Sequence, residues 1–516
     1  MRRLLKETEA RRLALVEFLT EKHNWVTIAE LSKELNCSQR VIKDDLVFLR
    51  SSQKDFSIKS SYHGNRIEYG NNSSIKQYYQ YVLGNSTIFQ VLEAIFFNQH
   101  IKPYDLQEKL YLSQSTYYRL IRSSNPVLKE VFNIEIDVYT ANVVGEETSI
   151  RYFYYVYFSE KYSSLEWGFD TINEQALHDL IKFGLKLIKK NLSYSNFSYI
   201  KLMVAVNLTR YHSDDLNAID PADTLIEQIW DQVPPMTPRL YETLKELNIH
   251  LTKEMILEIF GFFLHKNFTY GYQQLEHLIA NDPAMTRNFT FISQLLDDLS
   301  LKYSVPIHNK QEILWYIHNI AYNEGFIPHT AYIYFNPNAD LMAKIQKFNP
   351  DFLNELTSGI QTFRQRVEKP MTRFTIEHLV YQVCVKWQDL IIDLYAEWSK
   401  VQAILISDFS SGRIRLIQDL IQEHLGSKII LEVFEDSEIT PELIAKMDTD
   451  LIITTTPLPP IHSLPVYCIN GNISSQNISE LHQFVEEIAS HKDHYHTGKA
   501  KKFKAKLPVT ESKETL

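Results

Sequence analysis

The segment Leu35-Asn36-Cys37-Ser38-Gln39 recurs as Leu110-Tyr111-Leu112-Ser113-Gln114. Its flanks align with it without a gap: Leu31 falls on Leu106, Leu35 on Leu110, Cys37 on Leu112, Ile42 on Tyr117 and Leu46 on Ile121. In each copy an apolar-periodic helix runs into a tight turn, and a serine opens a second helix. This is the pattern of a helix-turn-helix, present twice in tandem, and it places DNA among the expected ligands.

The first unit reads as follows. Residues 11–23 form a helix with Leu13, Val16, Phe18 and Leu19 on its apolar stripe. Thr27 caps the next helix, with Glu30 completing a capping box. Ser38 then caps a helix over 39–50, which turns Ile42, Leu46 and Leu49 inward. Residues 58–62 and 66–69, joined by a turn at His63-Gly64-Asn65, predict a hairpin wing. In the second unit Ser86 opens a helix ending near Phe97, and Pro103 sits in the first turn of the next. Ser113 caps a helix over 114–122. A strand at 134–138, a turn near Gly145 and a following strand predict a second wing.

The outward residues of the second helices are the candidate DNA contacts. They are Gln39, Arg40, Lys43, Asp44 and Arg50 in the first copy, and Gln114, Ser115, Tyr118, Arg119 and Arg122 in the second. Arginine and glutamine suit purine edges, whereas lysine and serine mostly meet phosphates. Tyr117 and Tyr118 offer hydroxyls and flat apolar faces for a thymine methyl or a sugar. Lys59, His63, Asn65 and Arg66 of the first wing would reach phosphates or the minor groove. The plainer alternative is that Arg40 and Arg50 only pair with nearby acids such as Asp44 and Asp45.

The chain has 516 residues and 44% apolar content, enough for several cores. Its net charge of −10 weakens non-specific DNA binding, in which phosphate contacts dominate. Residues 1–70, however, carry a positive excess of about +3. Cys37, Cys384 and Cys468 lie far apart without metal-ligand spacing, which suits a reducing cytoplasm. No signal peptide and no membrane span are expected. The aromatic run 152–158 reads as a buried strand or helix.

Residues 166–398 are helical and contain a weaker duplication. Thr252-Lys253 resembles Thr372-Arg373, and Val206-Asn207-Leu208 resembles His318-Asn319-Ile320, which predicts two bundles of about 110 residues. In this alignment His378 faces Glu258, so the two halves are not equivalent. After Trp398 the pattern becomes α/β. Strands are predicted at 401–406, 429–434, 451–455 and 466–469, with a helix over 413–425, giving a small parallel sheet. The tail, 491–516, is basic and reads as disordered. No nucleophile triad, HExxH or nucleotide-binding glycine motif is present, and no enzymatic activity, cofactor or metal is expected.

This order resembles the Mga/AtxA group of transcriptional regulators of Gram-positive pathogens. The resemblance covers nearly the whole chain to about Ser490, and its most specific parts are residues 110–122 and the domain order itself. It implies a mainly α, multidomain chain: a first winged helix-turn-helix (1–70), a second, Mga-type one (71–165), two helical phosphotransferase-regulation (PRD-like) domains (166–286 and 287–398), an α/β EIIB-like domain (399–490) and the basic tail. It further implies regulation of virulence or carbohydrate-linked transcription, with activation the expected sign, and a cytoplasmic homodimer bound to duplex DNA. Phosphorylation of PRD histidines by the general phosphotransferase phosphocarrier would modulate it, with His212, His318 and His378 as the candidates and His265 lying nearby.

A working EIIB domain carries a nucleophilic cysteine just after its first strand. Here the loop is Ser407-Asp408-Phe409-Ser410-Ser411-Gly412, and Cys468 falls in the fourth strand, where burial is expected. The domain is therefore expected to keep the fold without the transfer chemistry and to serve in dimerisation. The competing readings are a phosphotransferase-system component, disfavoured by the missing thiol, and a PRD-type RNA-binding antiterminator, disfavoured by the two helix-turn-helix units.

Overall fold

In the computed structural model, both copies of the repeated segment close the same turn. The structure describes the chain apart from residues 23, 164, 188–193, 212–219, 234, 236, 323–331, 335, 337, 368–372, 399–400, 437, 441–442, 444–448, 459–463, 470–473 and 497–516. The N–H groups of Leu35 and Leu110 donate to Leu31 O (3.0 Å) and Leu106 O (3.1 Å). Those of Cys37 and Leu112 reach back to Ser32 O (3.1 Å) and Gln107 O (2.8 Å). Between them Asn36 (φ 47°) and Tyr111 (φ 52°) take the left-handed conformation that ends a helix in a Schellman turn.

The first unit is built from α1 (Glu7–Lys22), α2 (Ile28–Glu34), α3 (Gln39–Ser52) and a hairpin of β1 (Phe56–Ser61) and β2 (Gly64–Tyr69). Thr27 caps α2 in a full capping box, and the Ser38 hydroxyl accepts from Val41 N–H at 3.4 Å. The hairpin turn is Tyr62-His63, so Gly64 and Asn65 belong to β2 rather than to the turn expected there. The reason is non-local. Asn65 exchanges both backbone hydrogen bonds with Val26, at 2.9 and 2.7 Å. Gly64 (φ 127°) then passes so close to the Val26 carbonyl that a Cβ would sit 2.3 Å from its oxygen.

The second unit adds a tyrosine-rich helix that periodicity did not reveal, α4 (Ile75–Asn85), followed by α5 (Thr87–Phe97), α6 (Pro103–Lys109) and α7 (Gln114–Phe132). Then come β3 (Ile134–Asp137), β4 (Asn142–Gly145) and α8 (Glu147–Lys161), which contains the aromatic run. Pro103 is the first residue of α6, as expected, and Ser113 caps α7 through Thr116 N–H at 3.2 Å. The helix does not end near Arg122. It continues through Pro126 because its second half buries Val127, Leu128 and Phe132. The wing turn lies at residues 138–141, and Gly145 ends β4 instead of making the turn. Aromatic rings from α5 and α8, among them Phe89, Phe96, Phe153, Tyr154, Tyr157 and Phe158, fill the core between the elements.

By internal contacts the chain divides into two units, Met1–Phe289 with Leu314–Pro337 and Gln361–Gln382, and Thr290–Ile313 with Asn338–Ile360 and Val383–Leu516. Helices dominate residues 174–398, including Glu174–Leu187, Tyr194–Arg210, Lys253–Leu264, Pro283–Lys302, Lys310–Tyr322, Pro350–Val367 and Arg373–Lys386. The C-terminal α/β region forms the predicted parallel sheet from β5 (Val401–Ile406), β6 (Ile429–Val433), β7 (Leu451–Thr454) and β8 (Val466–Cys468), in the order β6-β5-β7-β8. Helices Ser411–Leu425 and Ser475–His496 cover one face through Ile417, Ile421, Leu481 and Val485. Phe434, Leu458 and Leu464 pack on Ile404, Ile406 and Ile452 of the other. The last helix runs on to His496, past the expected start of the tail at 491, and the rest of the tail lies outside the described residues. No helix among the described residues is long and apolar enough to cross a membrane.

Candidate nucleic-acid interface

Helix α3 turns Ile42, Leu46 and Leu49 into the core and leaves Gln39, Arg40, Lys43, Asp44, Val47 and Arg50 exposed. Asp45 breaks this pattern because it is buried. Its two oxygens accept from Arg11 Nε at 2.6 Å and Arg12 Nε at 2.7 Å. The Arg12 guanidinium also lies 3.6 Å above the Phe48 ring. Asp45 therefore pins α3 to α1 and is not the partner of Arg40 or Arg50.

Arg50 is committed elsewhere. Its Nε donates to Ile58 O at 3.1 Å, and a terminal nitrogen bonds Asn65 Oδ1 at 2.8 Å and the Ser60 hydroxyl. This guanidinium holds the wing. Asn65, expected at DNA, is buried in the same network. Arg66 pairs with Glu68 and lies 5.1 Å from the Trp25 ring centroid, whereas Lys59 and His63 are exposed. The second copy repeats the device with a different residue. The gapless alignment sets Arg50 on Asn125, whose amide exchanges two 2.9 Å hydrogen bonds with the backbone of Ile136 in β3. That alignment is the one sequence signal that could have revealed both anchors.

On α7, Gln114, Ser115, Arg119 and Arg122 are exposed, Tyr118 is half-buried, and Tyr117 is fully buried with its hydroxyl donating to Val138 O at 3.3 Å. No acidic residue lies on α7 before Glu130, so its outer face presents cations and an aromatic ring.

The candidate histidines occupy a different setting. His212 lies outside the described residues. His318 is fully buried on Lys310–Tyr322; its Nε2–H donates to Asn267 O at 2.7 Å, and its ring stacks on Tyr322 at 5.0 Å. Asn267 N–H in turn donates to His265 Nδ1 at 3.1 Å. His378 is buried on Arg373–Lys386 beside Gln382 at 3.2 Å, and burial lowers its pKa to about 4. A phosphoryl donor needs a ring nitrogen in the open, so transfer to His318 or His378 requires this packing to open first.

Polar contacts join the helical region to α8 at both of its ends. Glu258, which faces His378 in the internal alignment, is buried and paired with Arg151 at 2.5 Å. Arg151 also meets Glu147, which Arg210 grips through two bonds of 2.8 and 2.7 Å. Burial opposes ionisation of Glu147, but the two arginines outweigh it and hold the carboxyl below its usual range. Glu160, buried near the end of α8, accepts the N–H groups of Ile333 (2.6 Å) and Tyr334 (2.9 Å), residues downstream of the His318 helix. Tyr334 then sets its ring edge-on against Phe89 at 5.9 Å.

In the α/β region, the loop after β5 carries Ser407, whose hydroxyl lies 2.7 Å from Thr455 Oγ1. Cys468 is exposed rather than buried, because β8 is an edge strand.

Comparison with known proteins agrees with this layout. The profile of the M protein trans-acting positive regulator (MGA) HTH domain matches residues 7–63, that of the Mga helix-turn-helix domain residues 71–158, and that of the MGA PRD domain residues 173–390. The chain belongs to the Mga family of trans-acting regulators. A Streptococcus pneumoniae protein with the provisional name trans-acting regulator is 28% identical, over 90% of this chain and 94% of its own length. The anthrax toxin expression trans-acting positive regulator of Bacillus anthracis is 21% identical, over 93% and 99%. The capsule synthesis positive regulator AcpA of the same organism is 21% identical, over 59% and 64%. As a member of this family the chain is a DNA-binding transcriptional regulator under phosphotransferase-system control.

Proposed function

We propose that α3 and α7 are the two reading heads of a transcriptional activator, each lying in a major groove of duplex DNA. The observation that carries this is the pair of matching turns, each followed by a serine-capped helix with a polar outer face. Gln39, Arg40 and Lys43 on α3, and Gln114, Ser115, Tyr118, Arg119 and Arg122 on α7, are the contacting side chains. Arg66, Lys59 and His63 serve the first wing's approach to the backbone, and Arg50 positions that wing. The protein works in the cytoplasm as a homodimer held in part by residues 399–490, whose sheet has β6 and β8 as outer strands that pair on one side only among the described residues.

Replacing Arg119 and Arg122 together with alanine tests the reading. Each contact, if directed at a base, contributes ~1–3 kcal/mol, so a gel-shift titration on a selected site should show at least a tenfold loss. Unchanged affinity in a folded variant rules the α7 assignment out. The regulatory half of the proposal names the phosphotransferase phosphocarrier as donor and one or more of His212, His318 and His378 as acceptor. Incubation with labelled phosphoenolpyruvate and the general phosphotransferase proteins should give an acid-labile, base-stable label, and absence of that label removes these histidines from the scheme.

A further inference from the structure

The two reading heads are built alike but carry different chemistry. Where α3 presents Lys43 and Asp44, the aligned positions of α7 present Tyr118 and Arg119. The Tyr118 ring is not alone. The second wing's turn folds back so that Tyr139 stands edge-on to it, with ring centroids 6.4 Å apart, and Tyr117 supports it from below at 5.7 Å. Tyr139 is 75% exposed although its backbone is firmly held. Its N–H donates to Asp137 Oδ1 at 2.9 Å, and the Thr140 hydroxyl donates to the other oxygen at 2.9 Å. The Tyr117 hydroxyl ties the helix to the turn at Val138. A rigid mount thus keeps the Tyr139 ring largely in water beside the recognition helix, with its edge toward Tyr118.

We propose that Tyr118 and Tyr139 form an apolar surface that reads thymine C5-methyl groups in the major groove. The inference rests on the DNA-binding reading above. Charge selects the partner: Arg119 and Arg122 share the helix with Tyr118, which is free of acids before Glu130, and this suits a polyanion such as DNA and disfavours a basic surface. Among base edges only thymine offers a methyl group in the major groove, and apolar side chains are its readers. The second head therefore favours T-bearing steps where these rings enter the groove, whereas the first head has Lys43 and Asp44 at the positions of Tyr118 and Arg119 and lacks such a surface.

The test uses the full chain and a duplex enriched by it from a random library, synthesised once with thymine and once with deoxyuridine throughout. The two forms pair identically and differ in the major-groove methyls. Loss of one well-buried methyl contact weakens binding about fourfold. Wild-type protein should bind the uridine duplex at least fourfold more weakly. The Tyr118→Ala/Tyr139→Ala variant should bind both duplexes equally while still shifting the thymine form through its arginines, and Tyr118→Phe should discriminate like wild type. Equal binding of both duplexes by wild type overturns the methyl reading and leaves DNA binding intact. Discrimination that survives in the double variant, or that Tyr118→Phe abolishes, also overturns it. Failure to enrich any duplex overturns the DNA-binding reading itself.

Discussion

Asp45→Asn should loosen the first reading head without touching its DNA-facing side chains. Asp45 is 2% exposed at its side chain, against 17% for Arg11 and 24% for Arg12. Each of the two charge-assisted hydrogen bonds contributes about 1.5–3 kcal/mol, and removing one partner of a buried ion pair costs roughly 3–5 kcal/mol. The arginines are close enough to water to turn outward, and asparagine keeps one accepting oxygen, so the lower end applies: about 3 kcal/mol. A chain of several domains does not unfold in two states. The quantity to measure is therefore the local opening free energy, read by native-state hydrogen exchange over residues 7–52. At about 1.4 kcal/mol per tenfold change, amides of α1 and α3 should exchange roughly a hundredfold faster. Asp44→Asn, one residue away and exposed, should change exchange by about 0.5 kcal/mol or less. If Asp45→Asn matches Asp44→Asn, the buried pair does not hold α3 and the account of this helix is wrong.

Tyr111→Asn should stabilise the second helix-turn-helix by about 1 kcal/mol, because asparagine accepts the left-handed backbone more readily than tyrosine and the Tyr111 ring, 96% exposed, loses no packing; faster native-state hydrogen exchange of residues 103–132 would refute this. His378 titrates near 4 in the folded chain instead of its usual 6.5. The unfolded chain then takes up the proton first as pH falls, so stability drops progressively between about pH 6.5 and 4, by up to ~3 kcal/mol. Imidazole NMR checks this, and a His378 midpoint near 6.5 contradicts it. A truncation ending near Trp398 should sediment toward monomer and bind DNA more weakly; a dimer as tight as the full chain moves the interface into the helical region.

What the sequence made legible was local. Thr27, Ser38 and Ser113 act within three residues of themselves, so their capping roles could be read from spacing. The central strands β5 and β7 are nearly continuous apolar runs because both faces of the parallel sheet are packed there. What stayed hidden was non-local. Arg50 occupies an outward helical position, and spacing alone cannot separate a groove contact from a wing anchor. The hairpin register depends on Val26, nearly forty residues from Asn65 along the chain. The end of α7 was hidden because Pro126 reads as a stop, whereas burial of Val127, Leu128 and Phe132 offsets its missing N–H. Cys468 seemed interior because an edge strand has the same composition as a central one. For the histidines, type and placement gave candidates, but only the packing around His318 and His378 shows that they are closed to solvent.

The Glu160 cradle carries a consequence that runs in the opposite direction from regulation. A carboxylate on α8 that accepts two backbone N–H groups just downstream of the His318 helix makes the second DNA-binding unit a participant in how that helix is held. Coupling between two sites is reciprocal. If opening of the histidine region alters grip on a promoter by some factor, promoter occupancy alters the ease of that opening by the same factor. If these histidines take phosphate as proposed, promoter-bound and free molecules would then differ in susceptibility to the donor, and the promoter would itself help decide which copies respond.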